Sequence, residues 1–148
     1  MSDAIVHKIF IYPHKDGCCE EREVCRVTPG TGLDGDRRRS TRRSVTLLSS
    51  EIWDQTMAGL GIDLSPQTRR ANLLVGGVDL PATVGKCLRI GAALFRIWGE
   101  TEPCQKMDDK YPGLLAALTP EMRGGVCAEV LEAGLLEIGA PIEVEESA

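Results

Sequence analysis

Aromatic residues are scarce in this chain: two Phe, two Trp and two Tyr make up 4% of its 148 residues. The stacking platforms that hold single-stranded nucleic acid need more. Histidine is scarcer, with only His7 and His14, and the six cysteines contain no C-x-x-C pair. Structural zinc sites draw four ligands from such pairs, so zinc is not expected. No stretch approaches the roughly 20 apolar residues that a membrane-spanning helix requires. The segment MSDAIVHKIF shows no basic leader before a long apolar core, so no signal peptide is expected. The expectation is a soluble, cytoplasmic chain whose thiols are reduced. Adjacent Cys18 and Cys19, with Cys25, have the softness to hold a soft metal, but ordinary thiols are the simpler reading.

What is present is ordinary globular material. Apolar residues are 43% and charged residues 26%, which excludes a disordered tail or a fibrous repeat. The length suits one domain over residues 1–148, without a linker or internal repeat. The net charge is −5, yet the arginines are bunched. Five of the twelve fall in Asp36-Arg37-Arg38-Arg39-Ser40-Thr41-Arg42-Arg43, and Arg69-Arg70 is a second pair. An acidic chain that packs its arginines into two short segments points to a local anion site, against the plainer alternative of a solvated basic loop.

The apolar pattern is mostly that of strands. Ala4–Tyr12, Glu21–Val27, Ser44–Leu48, Arg70–Val75, Lys86–Ile90, Ala93–Gly99, Gly125–Leu131 and Pro141–Glu145 read as strands, separated by turn residues. Thr28–Asp36 holds three glycines and a proline in nine positions and is expected to be loop throughout. Ser49 or Ser50 would cap a helix over Glu51–Ala58, with Ile52, Trp53 and Met57 as its core stripe. A shorter helix is expected at Gly113–Leu118. Many short strands at intervals of about ten residues predict a mainly β fold, a small barrel or sandwich with a few short helices.

Six segments, taken in order, resemble the MOSC domains, the family named for the C-terminal part of molybdenum-cofactor sulfurases. They are Gly32-Leu33-Asp34-Gly35-Asp36-Arg37; Val45-Thr46-Leu47-Leu48 with Glu51; Arg69-Arg70-Ala71-Asn72-Leu73-Leu74-Val75; Gly85-Lys86-Cys87-Leu88-Arg89-Ile90-Gly91; Thr101-Glu102-Pro103-Cys104; and Gly124-Gly125-Val126-Cys127-Ala128-Glu129-Val130-Leu131 with Gly134. Each is weak alone, and the ordered set spans about residues 30 to 145. The chain is similar to the short, stand-alone bacterial type. The resemblance implies a mainly antiparallel β-barrel, binding of the molybdenum pyranopterin cofactor, and a role for Cys104 as metal ligand or sulfur carrier.

The residue chemistry suits those implications. Thiolate is a soft ligand and the form able to carry a persulfide. Pro103 restricts the backbone before Cys104 and would set the thiol at a loop edge. Lys106 favours the thiolate while Glu102 and Asp108 oppose it. A buried free thiol is the plainer reading. A pyranopterin carries a phosphate, for which Arg37, Arg69, Arg70 and Arg123 offer bidentate guanidinium donors. The Asn72 amide can read a pterin edge, and the backbone N–H groups of Gly30–Gly35 can approach a ligand closely. Asp36 would orient Arg37 or a neighbouring arginine. Glu51 is read as a first-turn helix acid. The resemblance further implies reduction of N-hydroxylated compounds, with electrons from a separate protein, or cofactor sulfur transfer with a sulfur-donor protein. A non-catalytic cofactor-binding or storage module is the alternative. Nucleic-acid binding through Arg37–Arg43 is a poorer one, given the acidic net charge and few aromatics. On this reading Cys104 is the one cysteine needed, and Arg39 and Arg42 belong to an outer, screened cluster.

Overall fold

A computed structural model describes residues 3–15, 17–37 and 39–146. Its strands are β1 (Ile5–Ile11), β2 (Glu20–Arg22), β3 (Val24–Thr28), β4 (Gly32–Leu33), β5 (Val45–Ser49), β6 (Leu73–Gly76), β7 (Cys87–Ile90), β8 (Ala93–Glu100), β9 (Val126–Glu132), β10 (Gly134–Glu137) and β11 (Ile142–Glu145). The helices are α1 (Ser50–Leu60), α2 (Gln105–Lys110) and α3 (Leu114–Leu118). Strands dominate, so the mainly β expectation holds.

Eight strands form one sheet in the order β11-β7-β8-β9-β5-β6-β1-β2, and three form another, β10-β3-β4. Pairing is antiparallel except between β5 and β6, which run parallel with Leu47 opposite Leu73. Parallel neighbours need a crossover, and α1 with the 3-10 turn Pro66–Arg69 supplies it. The expected barrel is not seen as a closed ladder. A single isolated bridge, Ile5 with Pro141, brings β1 against the residue before β11. Backbone hydrogen bonds flank that bridge, from the Val6 N–H to the Ala140 carbonyl at 3.1 Å and from the Ile142 N–H to the Ala4 carbonyl at 2.8 Å, without growing into a ladder.

Alternation along the strands sorts the core into two. Val6, Ile9 and Ile11 of β1 join Leu47, Leu73, Phe95 and Val126, together with Cys25, Val27, Leu33 and Leu136 from the small sheet. The opposite faces put Phe10, Leu48 and Leu74, with Tyr12 just past β1, beneath the helices, against Trp53, Met57, Met107, Leu114 and Leu118. Trp53 is 2% exposed, and its indole N–H donates to the Leu64 carbonyl at 3.0 Å. Truncating it to Ala would cost about 3–5 kcal/mol. Ser49, of the two candidates, caps α1 by accepting from the Ile52 N–H at 3.2 Å.

Two local expectations need correcting. Thr28–Asp36 is not loop throughout: Gly32 and Leu33 pair with Thr28 and Val27 across a tight turn, because Gly32 takes φ +93 and lies against Ser44. The strand expected from Arg70 begins only at Leu73, since the Pro66–Arg69 turn ends with Arg70 in left-handed backbone at φ 59.

Candidate anion cavity

The 34–43 connection and the 66–72 connection approach each other where β5 and β6 begin. Between them lies a cavity of about 470 Å³, lined by Arg37, Arg39, Ser40, Arg43, Thr46, Arg69, Arg70, Ala71, Thr101 and Gly124. Among the described residues five arginines line it and no acidic residue does. The volume falls in the range of small-ligand sites, about 300–1,000 Å³.

Each arginine is held differently. Arg69 donates from Nε to the Gly124 carbonyl at 2.9 Å and from Nη2 to the Thr101 carbonyl at 2.5 Å. Gly124 leaves room for this arrangement: a Cβ there would lie 3.1 Å from Arg69 Nε and Nη2 and from the Thr101 carbonyl, so a neighbour would have to give by a few tenths of an ångström. Burial lowers the Arg69 pKa, opposed by the nearby Cys104 thiol and Glu100 carboxylate. Arg70 donates to the carbonyls of Gly17 (3.0 Å), Lys15 (3.2 Å) and His14 (3.3 Å), and its guanidinium carbon sits 4.4 Å from the Tyr12 ring centroid. Arg39 donates from Nη1 to Asn72 Oδ1 at 3.0 Å and lies 3.5 Å from Asp36 Oδ2 through Nη2. Arg37 and Arg43 are exposed.

Asn72 lies beneath the arginines. It is fully buried, and Oδ1 accepts from Arg39 Nη1, the Thr46 N–H at 3.0 Å and the Thr46 hydroxyl at 3.2 Å. Its Nδ2 donates to the Phe10 carbonyl at 3.1 Å. Asp36, as expected, orients a neighbouring arginine, and that arginine is Arg39. Its Oδ1 also accepts from the Tyr12 N–H at 2.8 Å.

Cys104 lies three residues past Thr101, exposed, as the N-cap of α2 with no side-chain cap bond. Arg123 lies elsewhere. It follows Glu121 and Met122, both in left-handed backbone, and donates to the Ala117 carbonyl at 3.2 Å. It lines a second cavity of about 840 Å³ with Glu51, Asp79 and Glu121 among others. The structure thus brings Arg37, Arg69 and Arg70 to one cavity, sets Asn72 below it, leaves Cys104 outside its lining though near enough to influence Arg69, and separates Arg123. Arg39 and Arg43, which the sequence assigned to an outer run or left aside, belong to the cavity. Glu51 does more than face a helix dipole: its Oε2 accepts from the Gly77 N–H at 2.8 Å.

The other cysteines divide by burial. Cys25, Cys87 and Cys127 are buried, Cys19 is half-buried and Cys18 exposed. Among the described residues no group of three or more His, Cys, Asp and Glu side chains gathers as a metal site. Nor is any helix among them long and apolar enough to cross a membrane.

The MOSC domain family model matches residues 34–143. The chain belongs to the MOSC domain family. Its fold is similar to that of the YuaD protein from Bacillus subtilis, with TM-score 0.79 at 21% identity over 99% of this chain and 98% of that one. It is also similar to YiiM from Geobacillus stearothermophilus (TM-score 0.75, 18% identity, 97% of this chain and 75% of that one). YiiM from Escherichia coli gives TM-score 0.75 at 17% identity, over 100% of this chain and 72% of that one. None of the curated proteins matches the chain.

Proposed function

We propose that this MOSC domain binds the molybdenum pyranopterin cofactor at the arginine-lined cavity, with Cys104 as metal ligand or sulfur carrier. The observation that carries this reading is the convergence of five arginines on one cavity, one of which, Arg69, feels the charge of the exposed Cys104, in a chain of net charge −5. The donor set fits the group. Guanidinium forks match phosphate oxygens, and Thr101 Oγ1 is a buried hydroxyl without a partner at the cavity wall. Arg37, Arg39 and Arg43, with the uncommitted N–H groups of Arg69 and Arg70, would hold the phosphate. Arg69, tied to the Thr101 carbonyl three residues before Cys104, would fix the phosphate relative to the thiol.

When bound, the cofactor supplies a redox-active metal centre. The chain's own part is to hold the anionic end, orient it and offer the thiol. Reduction of an N-hydroxylated compound would draw its two electrons from a separate electron-transfer protein. The exposure of Cys104 favours a second reading, in which its thiolate takes the outer sulfur of a donor protein's persulfide, releasing the donor's thiolate, and passes that sulfur on to an acceptor. Metal and pterin analysis of protein purified from a cofactor-producing host separates the two. Near-stoichiometric molybdenum with a fluorescent oxidised pterin is expected, and its loss in Cys104→Ser would identify the thiol as ligand. Cyanide-releasable sulfur without molybdenum would favour the carrier. Full molybdenum content and activity in Cys104→Ser would overturn the role of Cys104.

A further inference from the structure

We infer that Arg39, held in place by Asp36 and Asn72, is the arginine on which the cavity's grip on a phosphate-type anion chiefly depends. The inference rests on the cavity being an anion site, as proposed above.

A guanidinium has five N–H donors in a rigid fork. Arg69 commits Nε and Nη2 to the carbonyls of Gly124 and Thr101, and Arg70 commits both terminal nitrogens to the carbonyls of His14, Lys15 and Gly17. Arg37 and Arg43 are exposed, so solvent and salt screen them. Arg39 makes one hydrogen bond, through Nη1, and one looser ion pair of 3.5 Å, through Nη2, both to side chains rather than to backbone carbonyls. Its side chain is 17% exposed, it faces the cavity, and its one short hydrogen bond goes to a fully buried amide.

That amide is itself fixed. Asn72 is tied to Thr46 at the start of β5 and to the Phe10 carbonyl in β1. Asp36 is tied to the Tyr12 N–H just past β1, and its Oδ2 is buried with no hydrogen bond, only the 3.5 Å ion pair to Arg39. The guanidinium is therefore oriented before any ligand arrives, and the ordering cost of binding is already met. Asn72 and Asp36 act through Arg39 and are positioning residues.

The position of Asp36 makes the test sharp. If charge alone governed binding, Asp36→Asn would tighten it, because a negative charge leaves the neighbourhood of the anion. If positioning governs, the same change weakens binding, because Arg39 loses its tether while the Tyr12 N–H keeps an acceptor. Inorganic phosphate and pyrophosphate titrated calorimetrically into the full chain decide it. Expected are a loss of about tenfold or more for Arg39→Lys and about threefold for Asp36→Asn, with about twofold or less for Arg37→Lys and Arg43→Lys. In an Arg39→Lys background, Asp36→Asn should no longer weaken binding. Should Asp36→Asn fail to fold, the contrast between Arg39→Lys and Arg37→Lys decides alone. A parent chain that binds while Arg39→Lys binds equally well, or tighter binding by Asp36→Asn, overturns the assignment of Arg39. A parent chain that binds neither anion overturns the anion cavity itself and this inference with it.

Discussion

The Arg70 guanidinium lies over the Tyr12 ring, 4.4 Å from its centroid, while the Tyr12 hydroxyl donates to the Ala71 carbonyl at 3.0 Å. One buried phenol thus carries both the arginine at the cavity rim and the backbone just before β6. Burial pushes the Tyr12 pKa well above its ordinary value, with the neighbouring Cys19 adding to the shift and Arg70 and Arg39 opposing it.

A raised folded-state pKa fixes the sign of the pH dependence. Below pH about 10 the phenol is protonated in both folded and unfolded chains and adds no slope. Above that, the unfolded chain loses the proton first, so stability falls as pH rises towards the folded value. Tyr12→Phe should lose about 1 kcal/mol at pH 8, the hydrogen bond to Ala71. It should also show a smaller drop between pH 9 and 11 than the parent chain. Urea unfolding at both pH values checks this, and equal alkaline drops would contradict it.

Gly124 and Gly125 are neighbours with different reasons to be glycine. In Gly124→Ala the new Cβ comes within 3.1 Å of the Arg69 nitrogens and the Thr101 carbonyl, so stability should fall by about 1 kcal/mol as Arg69 is displaced from its two carbonyls, and phosphate affinity should fall severalfold. In Gly125→Ala the Cβ runs into the Leu47 carbonyl at φ +101, and the cost should exceed about 2 kcal/mol. Thermal unfolding of the pair, alongside phosphate titration of Gly124→Ala, separates a ligand effect from a backbone one.

The cysteines should sort by burial when changed to serine. Cys87 and Cys127 are 1% and 4% exposed, and a hydroxyl left there without a partner should cost about 1–3 kcal/mol. Cys25 should lose less, since its thiol already faces the carbonyls of Arg26 and Asp34 at 3.6 Å. Cys104, exposed and without a cap bond, should stay within about 0.5 kcal/mol of the parent. Chemical denaturation of the series measures all four.

Part of the strand pattern is legible in the sequence because burial on one face leaves a period of two, as in Val24–Thr28, while Ala93–Glu100 reads as a strand through its apolar run, buried on both faces at its start. The helix start at Ser49 is legible for the same local reason. The parallel match of β5 with β6 is not, since it depends on which face α1 covers. Four-residue β10 is too short to show its alternation. Arg39 and Arg42 look alike in the run. What distinguishes them is Asn72, 33 residues away, which draws Arg39 inward, whereas Arg42 stacks on Trp98 at 4.2 Å. Arg123 shares the guanidinium chemistry of the cavity, but sequence cannot say which side of the Gly124–Gly125 wall a side chain takes.

The five cavity arginines all stand on connections, none on a strand, and the cavity opens where the parallel pair begins rather than at the N-terminus of α1. Its positive potential therefore comes from side chains and not from aligned peptide dipoles. Fold and charge are in consequence separable. At the exposed Arg37 and Arg43 the cations can be exchanged one substitution at a time while the ladders beneath stay intact, so one backbone can present different charges to a ligand.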